Sequence, residues 1–164
     1  MQFRAEQYYQ ASLERMRQAR ELYDTRTAYA LAMYYGGLAV ESLLRAFRWT
    51  KDPTFEGRHD LSELLKASRL LKMDEDHLRS KGFSADAIRE SGLKVHASMT
   101  EVIILWHNNL RFASEASLKA HLTGIRRVQG IKGDALKKNA RDLLEAAQAV
   151  VNRGMVLWTS GIRP

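Results

Sequence analysis

The densest run of chemistry-bearing side chains in the chain is Trp106-His107-Asn108-Asn109-Leu110-Arg111-Phe112. A guanidinium binds phosphate through paired N–H donors, an amide reads base edges, and an aromatic ring stacks on bases. The run therefore holds the parts of a phosphate or nucleotide contact, with His107, Asn108, Asn109 and Arg111 as its polar members. The alternative is a helix end, in which Trp106 and Leu110 are core and the polar groups face water.

A second candidate follows at Gly124-Ile125-Arg126-Arg127-Val128-Gln129-Gly130-Ile131-Lys132-Gly133-Asp134. Here Arg126, Arg127 and Lys132 stand among three glycines just before a helix, and exposed N–H groups at a helix start suit phosphate. The Walker spacing is absent and the loop follows a helix rather than a strand, so it is not a P-loop. A solvated basic loop is the simpler reading. Charge concentrates in this part of the chain: Arg111 to Arg141 holds eight Lys/Arg against Glu115 and Asp134, which is +6 of the net +7. A basic stretch of this kind favours an acidic partner.

Two further groups are cleft candidates. Glu41 lies in the most apolar segment, where a carboxylate must be paired or shift its pKa. Arg45, one helical turn on, is a natural partner; a charge lining a ligand cleft is the other reading. Arg58-His59-Asp60 places an imidazole and a carboxylate at a loop-to-helix junction, with Asp60 suited to capping and His59 to packing or to ligand contact. The five histidines (His59, His77, His96, His107, His121) show no metal-ligand spacing, so neither a metal nor another cofactor is expected.

The elements that must position these groups are helices. Only two prolines interrupt the 164 residues, and apolar residues recur at helical rather than alternating spacing. Helices are expected over about Arg4–Asp24, Thr27–Trp49, Leu61–Leu71 (capped by Asp60), Asp74–Ser80, a long segment from Ser84 to Leu110, Ser114–Leu122, and Asp134–Thr159. The second should be central, with Leu31, Tyr35, Leu38, Ala39, Leu43, Ala46 and Phe47 around most of its circumference. Gly36-Gly37 lowers its helix propensity, which close approach of a neighbouring backbone would offset. The last helix is the clearest amphipath, through Leu136, Ala140, Leu143, Ala147, Val150, Gly154 and Leu157.

The expected architecture is an all-α antiparallel helical bundle with short accessory helices, one domain over residues 1–164. Hydrophobic residues at 45% and charged residues at 27% fit a packed globule rather than a disordered chain. The absence of cysteine excludes disulfides, thiolate catalysis and Cys-based zinc sites, and suits a cytoplasmic location. Glu41, Arg45 and Arg48 interrupt the apolar stretch Tyr29–Leu44, which argues against a membrane span.

Three segments in order resemble a HEPN domain: AYALAMYYGGLAVESLLRAF, then GRHDLSELL, then NNLRFASE followed at a distance by ALKKNARDLLEAAQAVV. The resemblance implies a bundle that forms a homodimer, often beside a small nucleotidyltransferase partner in a toxin–antitoxin-type system. It also implies binding of nucleotide or RNA, with Arg111 at the family's late arginine. Many HEPN proteins cleave RNA without metal through an arginine and a histidine a few residues on; the pair here nearest that spacing is Arg89 and His96, two turns apart on one helix face. His107 with Arg111 is a second candidate pair for such an endoribonuclease. A bundle serving only protein association, with no ligand, is the remaining alternative.

Overall fold

The computed structural model describes residues 3–50 and 59–162. Among them the chain forms seven α-helices and no strand: α1 Ala5–Asp24, α2 Tyr29–Trp49, α3 Leu61–Ser68, α4 Leu70–Ser80, α5 Ala85–Leu105, α6 Glu115–Gly124 and α7 Ala135–Thr159. A 3₁₀ turn, Asn108–Phe112, lies between α5 and α6. The protein is an all-α helical bundle. No helix among the described residues is long and apolar enough to cross a membrane.

Side-chain caps set several boundaries as the sequence suggests. Asp60 Oδ1 accepts from the backbone N–H of Ser62 at 2.9 Å and of Glu63 at 3.0 Å. Ser84 caps α5, Ser114 caps α6, and Asp134 caps α7 through Lys137 N–H at 3.0 Å. Each satisfies donors that the first helical turn leaves unpaired.

The core forms around α2, which packs on α1, α3, α7 and the 3₁₀ turn. Two-thirds of α2 is buried, with Ala39, Leu43, Ala46 and Phe47 inside as expected; Leu31 departs from that set at 39% exposed, and Ala32, Met33, Gly36, Gly37 and Val40 are buried as well. Both glycines are inside because side chains, not a neighbouring backbone, sit on them. A Cβ at Gly36 would stand 2.7 Å from Leu144 and 2.8 Å from Leu143, and one at Gly37 would overlap the Trp106 indole. Gly154 on α7 receives Leu43 of α2 in the same way. At the α1 end the Trp158 indole stacks on Tyr9 at 4.7 Å and meets the edge of Phe47 at 5.4 Å.

Two helix boundaries depart from the sequence reading. The expected helix Leu61–Leu71 stops at Ser68, because Arg69 adopts left-handed backbone (φ 57°), and α4 restarts at Leu70 well before Asp74. The helix expected to reach Leu110 ends at Leu105. Trp106 leaves it in extended conformation, inserts its ring over Gly37 and donates from Nε1 to the carbonyl of Tyr34 at 3.1 Å. A buried indole with a satisfied N–H outweighs one further helical turn.

One buried ion pair fastens α4 to α7: Asp74, 2% exposed, accepts from Arg153 Nε.

Candidate functional site

The break at Trp106 creates the site. In extended backbone successive side chains point to opposite sides. Trp106 goes into the core, and His107 next to it goes outward, where its Nδ1 accepts from Asn109 N–H at 3.1 Å and starts the 3₁₀ turn. The turn and α6 enclose a cleft of about 520 Å3 lined by His107, Asn109, Phe112, Ser117 and His121 over Leu110 and Ala113.

His121 is the member that sequence reading missed. Its Nε2 is buried and has no hydrogen-bond partner among the described residues. Burial, with the His107 imidazole adding like charge, holds its pKa below the ordinary histidine value. The ring is therefore neutral near pH 7. The signal in the sequence was slight: His121 flanks the buried pair Leu118 and Leu122 on α6, one turn after Ser117.

Arg111 stands at the rim, exposed, with its guanidinium carbon 4.6 Å from the centre of the Phe112 ring. Phe112 itself is 77% exposed, an unusual position for a phenyl ring. Asn109, rather than Asn108, lines the cleft; Asn108 is half-buried, with an Oδ1 that finds no partner among the described residues.

The basic loop divides by role. Arg127 is ion-paired to Glu101 of α5 through Nη2, and its carbonyl accepts from Asn139 Nδ2 at 2.9 Å. Asn139, 2% exposed, also donates to Ala135 O, so it pins the loop to α7. Arg126 (φ 59°) and Lys132 are exposed. The first turn of α7 already holds the Asp134 carboxylate as its cap, which competes with any phosphate at that position.

Glu41 is buried beneath Arg45 and His59. Arg45 Nε donates to its Oε1 at 2.7 Å, and His59 Nδ1 lies 2.8 Å from Oε2. His59 in turn lines a cleft of about 420 Å3 with Ser62, Ile103 and Trp106. The carboxylate thus ties α2 to the segment that starts α3, and His59 joins it to that surface cleft. Arg58 lies outside the described residues.

Arg89 and His96 do share one depression, on the α4 side of α5. Arg89 is open to solvent and bonded to Asp86 at 3.1 Å. The depression that holds Arg89 and His96 shares no lining residue with the cleft that holds His107. The two candidate pairs are separate places on the molecule. No group of three or more His, Asp or Glu among the described residues is arranged to hold a metal ion.

Compared with protein-family models, curated proteins and solved structures, the chain matches none of them. The HEPN resemblance therefore rests on the residues that carry it, and the class defined by the fold is an all-α bundle.

Proposed function

We propose that this protein binds nucleotide or RNA at the 3₁₀ turn, as a HEPN-like module. One observation carries the reading: an exposed phenyl ring, Phe112, bears the Arg111 guanidinium on its face at the mouth of a cleft with two imidazoles and an amide. A ring open to water suits base stacking, and the guanidinium beside it suits the attached phosphate. The excess of Lys/Arg from Arg111 to Arg141 supplies the surrounding field. The module acts in the cytoplasm as a homodimer, with a small nucleotidyltransferase as its protein partner.

The test is fluorescence anisotropy with short single-stranded RNA and with nucleotides across a salt series. Arg111→Ala and Phe112→Ala should each weaken binding by at least about fivefold, an effect of about 1–3 kcal/mol, and Arg111→Ala should lower the salt slope by about one unit. Absence of binding at low ionic strength, or affinity unchanged in both variants, refutes the reading.

His107 and His121 facing one cleft favour a second reading, metal-independent RNA cleavage. The neutral His121 imidazole accepts the 2′-hydroxyl proton as that oxygen attacks phosphorus. His107, protonated at the cost of the Asn109 N–H bond to its Nδ1, gives a proton to the departing 5′-oxygen, and Arg111 offsets charge on the equatorial oxygens. The products are a 2′,3′-cyclic phosphate and a free 5′-hydroxyl. Cleavage that persists unchanged in His107→Ala and His121→Ala proteins removes this reading and leaves the binding one intact.

A further inference from the structure

On the other side of α5, its junction with α3 and α4 leaves two adjoining clefts that the proposed nucleotide site does not use. One, about 610 Å3, is lined by Lys66, Arg69, Lys72 and His96 above Leu65, Leu71 and Ile103. Its neighbour, about 680 Å3, shares Leu71, Lys72 and His96 and continues along Ile88 and Leu93 to Phe83. Neither has a lining residue in common with the His107 cleft.

No carboxylate lines the first cleft. Lys72 lies 3.0 Å from Asp76 and 3.5 Å from Glu75, but Lys66 and Arg69 have no acidic partner among the described residues. Like charges gathered over an apolar floor repel one another, and an anion relieves that repulsion. Arg69 sharpens the point. Its left-handed backbone at the α3–α4 corner favours glycine, yet the chain places there a guanidinium that faces the cleft.

The lining also limits the rest of the ligand. The first cleft has no Phe, Tyr or Trp ring, its one ring being the exposed His96 imidazole, and no amide or carboxylate to read a base edge or a ribose. Its floor is aliphatic, and the second cleft extends that floor past half-buried Ile88 and exposed Leu93, with Asp74, Glu75, Arg79 and Arg89 also on its walls. From His96 back to Ala85 the groove follows eleven residues of α5, about 16 Å at 1.5 Å per residue, enough for a medium-length alkyl chain.

We infer that the two clefts together bind an anionic amphiphile. Its phosphate or carboxylate head sits among Lys66, Arg69, Lys72 and His96, and its aliphatic chain lies along Leu71, Ile88 and Leu93 toward Phe83. The ligand is taken up as a monomer, since a groove of this length encloses one chain rather than a bilayer surface.

Calorimetric titration of the full chain with monomeric decyl phosphate tests this, with decanoate, inorganic phosphate, uncharged decyl maltoside and anionic vesicles as parallel arms. Decyl phosphate and decanoate should saturate one-to-one, and phosphate alone and decyl maltoside should bind at least about tenfold more weakly. Arg69→Gly suits the left-handed backbone, so its thermal unfolding should match or exceed the parent while affinity for decyl phosphate falls at least about tenfold. Lys66→Ala, an exposed position, should lower affinity in the same direction without altering the fold. The inference is overturned by unchanged affinity in both variants, by phosphate binding as tightly as decyl phosphate, or by binding to vesicles alone. Loss of RNA binding in Arg111→Ala has no bearing on any of these results, so the two sites fail or stand separately.

Discussion

Gly37→Ala joins core and site in one substitution. Alanine is the better helix former by about 1 kcal/mol, so on propensity alone the variant gains stability. A Cβ at this position, however, overlaps the indole of Trp106, a rigid ring that cannot rotate away as a flexible side-chain end would. Trp106 is 7% exposed, and an indole buries on the order of 200 Å2, worth up to about 5 kcal/mol at about 25 cal/mol per Å2. Displacing it also strains or breaks the Nε1 bond to Tyr34 O, about 1 kcal/mol. Loss of about half the burial and of the bond, less the propensity gain, leaves a net destabilisation of about 2–4 kcal/mol. For a chain of this length that is a drop of roughly 6–12 °C in Tm. Gly92→Ala is the control: nothing lies within 4 Å of a Cβ there, so mid-helix alanine in α5 should stabilise by about 0.5–1 kcal/mol. Thermal and urea unfolding followed by circular dichroism measure both. A Gly37→Ala protein as stable as the parent would refute the claim that Trp106 packing ends α5.

Other perturbations probe other elements. Arg153→Met leaves the Asp74 carboxylate buried without its partner and should cost about 3–5 kcal/mol in urea unfolding; adding Asp74→Leu should recover most of that loss. Asn139→Ala removes the donor that holds Arg127 O and Ala135 O, so stability should fall by about 1–3 kcal/mol and amide exchange in the 124–133 loop should rise. His121 has a folded pKa below its ordinary value, so the unfolded chain binds more protons near that value. Its contribution to stability is therefore complete at neutral pH and is lost as pH falls from about 6.5 toward the lower folded pKa. The parent should lose stability over that window relative to His121→Gln, and parallel melting profiles for the two would contradict the burial of this imidazole.

Periodicity and caps carried most of the fold. The stripe Ala140, Leu143, Ala147, Val150, Gly154 and Leu157 is buried as its spacing requires, and Asp60, Ser84, Ser114 and Asp134 begin their helices. Failures came where a tertiary contact overrode a local pattern. Apolar spacing continues through Trp106 to Leu110, so nothing local ends α5; the cause is a glycine almost seventy positions earlier. Leu31 looks like core on a helical wheel, but α1, α3, α7 and the 3₁₀ turn approach α2 from the directions that put small residues inside. Arg69 likewise carries no composition signal for a helix break, since a left-handed backbone is expected at glycine or asparagine.

The same physics decides how much of the site was legible. Arg111, Phe112, His107 and Asn109 are neighbours in sequence, and their residue types alone suggested a phosphate or base contact. His121 entered only because the chain reverses after the 3₁₀ turn and α6 folds back on it, which a linear reading of five scattered histidines does not reveal. Arg127 shows the opposite case. It sits in the most basic loop, yet Glu101 and Asn139 engage it, so charge density there overstated what is available to a ligand. Trp106 connects the core to the site. By leaving the helix it fills the space above Gly37, and by doing so it turns His107 outward and lets the 3₁₀ turn present Arg111 and Phe112 together. Disturbing that ring should therefore lower stability and RNA affinity in step, whereas Arg111→Ala should lower affinity alone. A Gly37→Ala protein that lost several degrees of Tm but bound RNA as the parent does would separate the core from the site and remove this link.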